Sequence, residues 1–228
     1  MILAIDTSMS AASACTLASG TDEPAALQTS AMERGHAEAL MPLIEAVIDK
    51  TPGGFQALTR IAVAVGPGSF TGIRVGVSAA RAIALARDLP VVGVSTLAAF
   101  AAPWLAAGNE QIVAAAIDAR HGNIYIQAFA PGGRSILTPR LMTPREAIRI
   151  LGSRPVCLTG SGAPLLAAEA QTAGIEARIY GELHAPDILQ VARLGLVADP
   201  ATAPARPFYL KAPDAKPIAV RAIQRANM

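Results

Sequence analysis

The chain has 228 residues, of which 52% are hydrophobic, 16% charged and 4% aromatic. So apolar a composition excludes a disordered chain. A net charge of +2, from 19 Lys+Arg against 17 Asp+Glu, excludes a protein that grips nucleic acid by overall charge alone. Charge this far below the usual quarter of residues also leaves little polar surface, so part of the surface is expected to be covered by a partner.

Ile2-Leu3-Ala4-Ile5 reads as a buried strand running into Asp6-Thr7-Ser8, taken as a tight turn. In actin-like ATPases such a turn offers converging N–H groups and a hydroxyl to phosphate, and its acid holds Mg²⁺-bound water. The same residues fit an ordinary strand end capped by its own side chains equally well. Ala14–Leu17 follows as a second strand. Over residues 37–49, Leu40, Leu43, Ile44, Val47 and Ile48 share one helical face, with Pro42 expected to kink it.

Ile61–Val65 then meets Gly66-Pro67-Gly68-Ser69-Phe70-Thr71-Gly72. A phosphate-binding P-loop needs Lys and then Ser/Thr after its last glycine; Ile73-Arg74 stands there instead. The glycines are expected to turn the chain sharply and bring a helix start close to another backbone. In the helix over 72–87, Gly72, Gly76 and Ala80 lie four apart and form a ridge without side chains. On spacing alone it suits packing on the chain's own sheet or its 37–49 helix ahead of packing on a partner helix.

The charge-free stretch 89–109 is long enough to span a membrane, but Pro90, Gly93, Ser95, Thr96 and Pro103 divide it into a short strand and a helix. Val113–Ala119 repeats the opening pattern and places Asp118 where Asp6 stands. Residues 124–129 form the next strand, and 156–159 run into Gly160-Ser161-Gly162, the counterpart of the first glycine turn. Residues 187–196 read as an amphipathic helix closed by Gly195. Arg206, Lys211, Lys216, Arg221 and Arg225 against Asp214 make the tail basic, either a solvated end or a phosphate contact.

Two halves built alike follow: strand, acidic turn, strand, helix, strand, glycine turn, helix. Apolar strands alternating with helices imply mixed sheets covered by helices, an α/β chain divided near Pro103 or Asn109. Cys15 and Cys157 are isolated, and His36, His121 and His184 show no metal-ligand spacing, so neither a disulfide framework nor a metal site is expected. No GxSxG elbow is present, and Ser161 has no positioned base. Asp6 interrupts the first apolar run, which argues against a signal peptide and for a soluble, cytoplasmic, reduced protein.

At Ile2–Ser8, Gly66–Arg74, Ile117-Asp118-Ala119-Arg120 with Tyr125, and Pro207-Phe208-Tyr209-Leu210-Lys211, the chain resembles the TsaB (YeaZ) family of the tRNA threonylcarbamoyladenosine pathway. The last string carries Lys where the family has Arg. The resemblance implies an actin/Hsp70-like (ASKHA) duplicated fold, divided here into 1–103 with the partner-binding helices and 104–228 with the basic tail. It implies a non-catalytic partner of TsaD in forming N6-threonylcarbamoyladenosine (t6A) at position 37 of ANN-decoding tRNAs, with a TsaE-like ATPase completing the assembly. The metal-binding HxxxH of TsaD falls here on Thr96 and Phe100, so no catalytic or metal residue is assigned. Leu40, Leu43, Val47, Gly72, Gly76 and Ala80 are the expected partner interface, used for a homodimer when the chain is alone. Asp6, Thr7, Ser8, Asp118, Gly160 and Gly162 are the candidate nucleotide residues, with ATP and Mg²⁺ expected only in the complex and no cofactor held tightly alone. tRNA is expected to be met through the complex, and no membrane. The competing function is a free-standing ATPase or phosphotransferase on the same fold, using Asp6 and Asp118; a glycoprotease is less favoured still.

Overall fold

The computed structural model describes residues 1–108, 110–181 and 184–210; the tail from Lys211 onward, where most of the basic end was read, lies outside them. The first sheet is ordered β3-β2-β1-β4-β5, from β1 (Ile2–Met9), β2 (Ala11–Leu17), β3 (Ala26–Ala31), β4 (Arg60–Gly66) and β5 (Val91–Ser95). The second is ordered β10-β9-β6-β7-β8, from β6 (Ile112–Arg120), β7 (Asn123–Phe129), β8 (Ser135–Met142), β9 (Val156–Thr159) and β10 (Ala177–Ile179). Read from opposite ends the two orders are the same. In each, an antiparallel three-strand meander is followed by two strands added in parallel. This is the duplicated actin/Hsp70-like fold.

The central strands are apolar on both faces because both faces are covered. On one side of the first sheet lie α1 (His36–Asp49) and α2 (Phe70–Arg87), packed on Leu3, Ile5, Ile61 and Val63. On the other side α6 (Ile188–Val197) packs on Ile2, Ala4, Ala62 and Val92. α4 (Pro144–Leu151) and α5 (Ala163–Thr172) cover one face of the second sheet. Its opposite face, with Val113, Ala115 and Ile117, receives Leu97, Phe100 and Ala101 of α3 (Thr96–Ala106).

The division at residue 103 therefore needs redrawing. Pro103 lies inside α3, which packs on the second sheet, while α6 and the strand-like stretch after it return to the first. Arg60 fixes that return, donating to the carbonyls of Gly195, Leu196 and Ala198 at 2.9, 3.1 and 2.8 Å. Gly93 N–H donates to Ala203 O at 2.9 Å, and Phe208 N–H to Val65 O at 2.8 Å, so residues 203–208 strap the first lobe.

Three further expectations change. Gly195 does not close α6; it sits within the helix, where a Cβ would strike Ala62. α1 runs through Pro42, which is exposed, from His36 to Asp49. The ridge of Gly72, Gly76 and Ala80 faces inward, as do Leu40, Leu43 and Val47, and all six are buried within the chain. The two glycines let α2 lie directly on β1: a Cβ at Gly72 would overlap Thr7 O, and one at Gly76 would stand 2.5 Å from Thr7 Oγ1. These six residues are core, and cannot be the surface that meets a partner.

Candidate functional site

Asp6-Thr7-Ser8 is not a turn but the end of β1, with a register shift between Asp6 and Met9 where β1 pairs with β2. All three are buried and already hydrogen-bonded. Ser8 N–H donates to Asp6 Oδ1 at 2.7 Å, Thr7 Oγ1 donates to Gly72 O at 2.7 Å, and Thr96 Oγ1 donates to Ser8 Oγ at 3.1 Å. The glycine string lies across this end: Ser69 N–H donates to Ser8 O at 2.7 Å, and a Cβ at Gly68 would overlap the same carbonyl. Thr96 and Phe100, the positions matching TsaD's histidines, are both buried.

The second half repeats the device in the open. Arg120 N–H donates to Asp118 Oδ1 at 2.8 Å, as Ser8 does to Asp6, but Asp118 and Arg120 are exposed. Asp118 N–H donates to Ser161 Oγ at 3.1 Å. Gly162 N–H donates to Ala116 O at 2.9 Å, and Gly160, with φ +85°, presses its Cα face on the same carbonyl.

Between the halves lies a cleft of about 620 Å³. Of the six nucleotide candidates, Ser8 and Asp118 line it, whereas Asp6, Thr7, Gly160 and Gly162 do not. The cleft also gathers Glu33, His36, Arg120, Tyr125, Ser161 and His184, with Phe70, Phe208 and Tyr209 at its edge. Arg74 stacks on the Phe70 ring at 3.8 Å and its Nε donates to the Tyr209 hydroxyl at 2.9 Å, tying the strap to the start of α2. Glu33, Phe70, Phe208 and the two histidines were not read as site residues. Isolated polar residues in loops carry no pattern until the fold assembles them, although Pro207–Leu210 already stood out as a string.

Burial raises the Asp6 pKa above the ordinary carboxylate value, opposed by the Ser8 side chain and N–H and, more weakly, by His36. A raised folded pKa stabilises the native state fully only below the unfolded value near 3.9, and that contribution is lost as pH climbs through the folded value. Asp6→Asn keeps an acceptor for Ser8 without the charge. It is expected to gain on the parent between pH 4 and pH 7, by about 1.4 kcal/mol for each unit of the raise. Urea denaturation at the two pH values checks this; a variant losing ground toward pH 7 contradicts it. The thiols of Cys15 and Cys157 are pushed up to about 12 and about 11 by burial, which keeps both protonated and unreactive.

Residues 29–151 match the family model described as TsaD: tRNA N6-adenosine threonylcarbamoyltransferase. The tRNA threonylcarbamoyladenosine biosynthesis protein TsaB of Escherichia coli is 36% identical over 125 residues, 54% of this chain and 52% of that protein. Its Haemophilus influenzae counterpart is 31% identical over 172 residues, 71% of this chain and 72% of that one. The chain belongs to the TsaB family. The solved YeaZ from Pseudomonas aeruginosa, at 25% identity, superposes with a TM-score of 0.71 over 92% of this chain and 99% of that structure. The match to the first of these relatives spans about half its length.

With the inward faces of α1 and α2 assigned to the core, the family's two leading helices show a different face to solvent. Met41 is 49% exposed and Leu85 is 85% exposed. Val75, Ala79, Ala82 and Ala86 continue along α2 at intervals of four, three and four, partly or fully exposed. A helical row of small residues with Leu85 beside it is a surface another helix approaches closely. Among the described residues no helix is long and apolar enough to cross a membrane.

Proposed function

We propose that this chain is the non-catalytic subunit that pairs with a TsaD-like paralogue during t6A formation on tRNA. The outer α1–α2 face carries the reading. A chain with this little charge leaves Leu85 almost wholly exposed beside a small-residue ridge on α2, and such a patch is stable in solution when covered. A second copy covering the same face gives a homodimer when TsaD is absent, and a TsaE-like ATPase joins the pair. The chain acts in the cytoplasm and meets tRNA as part of the complex.

The free-standing ATPase is the weaker reading. Its phosphate turn would use Asp6 and Thr7, whose side chains are buried and bonded within the first lobe. A nucleotide entering the cleft in the complex would instead meet Asp118, Arg120 and Ser161. Two measurements test the proposal. Depleting the protein in its host should lower t6A in tRNA nucleosides measured by mass spectrometry. Titration calorimetry with Mg-ATP should show no tight binding to the isolated chain. Unchanged t6A overturns the assignment, and turnover of ATP by the chain alone restores the ATPase.

A further inference from the structure

Charge is divided unequally between the lobes. Residues 1–108 carry six Lys/Arg and eight Asp/Glu, whereas residues 112–181 carry seven arginines, no lysine and four acids. Several of these arginines converge on α4. Ala147, Ile148 and Leu151 bury its inner face, leaving Arg145 and Arg149, four residues apart, exposed on the outer one. Arg154 is exposed just beyond the helix. Arg140 stands opposite Ile126 in the β7–β8 register. Ile126 belongs to the core beneath α4, so Arg140 leaves the edge strand on the side that α4 covers.

Neighbouring acids occupy these cations little: Arg149 adds only the smallest of the influences that hold the Glu146 carboxyl below its ordinary value, after the bonds from Thr143. Glu146, the acid of α4, is held at the helix start, where it accepts from Thr143 N–H at 2.9 Å and Thr143 Oγ1 at 2.8 Å. The ion pairs among the described residues are Arg178–Glu176 and Arg193–Asp22. Arg140 donates to Thr138 O and Oγ1. Arg145, Arg149 and Arg154 are exposed and in no ion pair among the described residues, and arginine is the side chain whose fork matches phosphate oxygens.

We infer that the outer face of α4, with Arg140 and Arg154 beside it, is a phosphate-contacting surface for the backbone of a structured RNA. The inference rests on the function proposed above, which makes that RNA the tRNA substrate. Contacts to phosphate position a nucleic acid without reading its sequence. The surface would thus orient tRNA for the partner's active site, and serve many tRNAs alike.

The test uses the full chain bound to its TsaD-like partner and a fluorescently labelled tRNA, with anisotropy followed from 50 to 200 mM salt. Arg145→Gln combined with Arg149→Gln is expected to weaken binding about tenfold at the lowest salt. It is also expected to flatten the dependence of log affinity on log salt by about 1.5, since each lost phosphate contact removes about 0.7–0.9. The Lys double variant should recover most of the slope, and Lys50→Gln, in the acidic lobe, should change neither quantity. Light scattering and circular dichroism confirm that each variant folds and pairs. A Gln variant that pairs and binds tRNA with the parent's affinity and slope overturns this inference alone. A parent that fails to pair or to support t6A formation overturns the proposed function instead. Parent complexes that bind phosphatidylserine vesicles but not tRNA would assign the surface to a membrane and also overturn the inference.

Discussion

Gly72→Ala is expected to remove most of this protein's stability. The added methyl would overlap Thr7 O, with Thr7 C at 3.2 Å and Ser69 Cβ at 3.3 Å. Thr7 has no room to swing away, because it is buried at the end of β1, just past the strand's pairing with β4, and its hydroxyl is bonded to the carbonyl of Gly72 itself. Relief requires α2 to lift from the sheet, pulling Ile73, Val77 and Ala80 from the core. Overpacking costs about 1–3 kcal/mol where side chains can yield. Here the obstacle is backbone, so about 3 kcal/mol or more is expected, a large part of the 5–15 kcal/mol typical of folded domains. Gly108→Ala makes the comparison: nothing lies within 4 Å of its Cβ, and the cost is limited to its φ of +71°, about 1 kcal/mol. Urea midpoints measure both. Equal midpoints for the two variants would show that α2 is not clamped onto β1.

The same contact explains why the ridge faces opposite to its expected direction. Spacing of four identifies a smooth helix face, but a sheet of the same chain and a helix of another both accept such a face. Choosing between them required knowing that Thr7 O lies beneath Gly72, a contact between residues 65 apart in the chain. Asp6-Thr7-Ser8 misled for a related reason. Three polar residues after an apolar run look like a turn, because burying them normally costs too much. Gly72 and Thr96 supply their partners from across the lobe, so the strand simply continues.

Much of the fold was legible. The buried strands that run into each acidic residue and each glycine turn and the repeat of Asp6 by Asp118 follow from apolar runs and punctuation, and the Asp6 and Asp118 carboxylates indeed make the same bond two residues on. The sequence shows no sign of the edge strands β3, β8 and β10. Ala-Leu-Gln-Thr-Ser-Ala and Ser-Ile-Leu-Thr-Pro-Arg-Leu-Met are polar and largely exposed, with Ala26 and Leu137 their buried residues. An edge strand is held by one neighbour and needs little apolar pattern of its own, and Pro139 is tolerated there. The cleft was legible only in part, because Glu33, His36, His184 and the strap residues come from four separate loops or element ends.

Ala82→Arg is expected to abolish pairing while leaving the fold intact. Ala82 is exposed at the middle of the outer ridge of α2, one turn from both Ala79 and Ala86 and beside Leu85. Within the isolated chain the new side chain extends into solvent, and arginine suits a helix nearly as well as alanine, so stability should change by less than about 0.5 kcal/mol. In a helix–helix contact it would occupy the space of the approaching backbone and bury a charge without a partner. Such a change at the centre of an interface weakens binding by about 3 kcal/mol or more, at least a hundredfold in Kd. Arg149→Gln, on the outer face of α4 in the second lobe, should leave pairing unchanged. Sedimentation of each variant alone and with the TsaD-like partner measures the effect, and thermal melts establish that the chain remains folded. An Ala82→Arg variant that pairs like the parent would move the interface off these helices, since a small-residue ridge that tolerates arginine at its centre is not in contact with another helix.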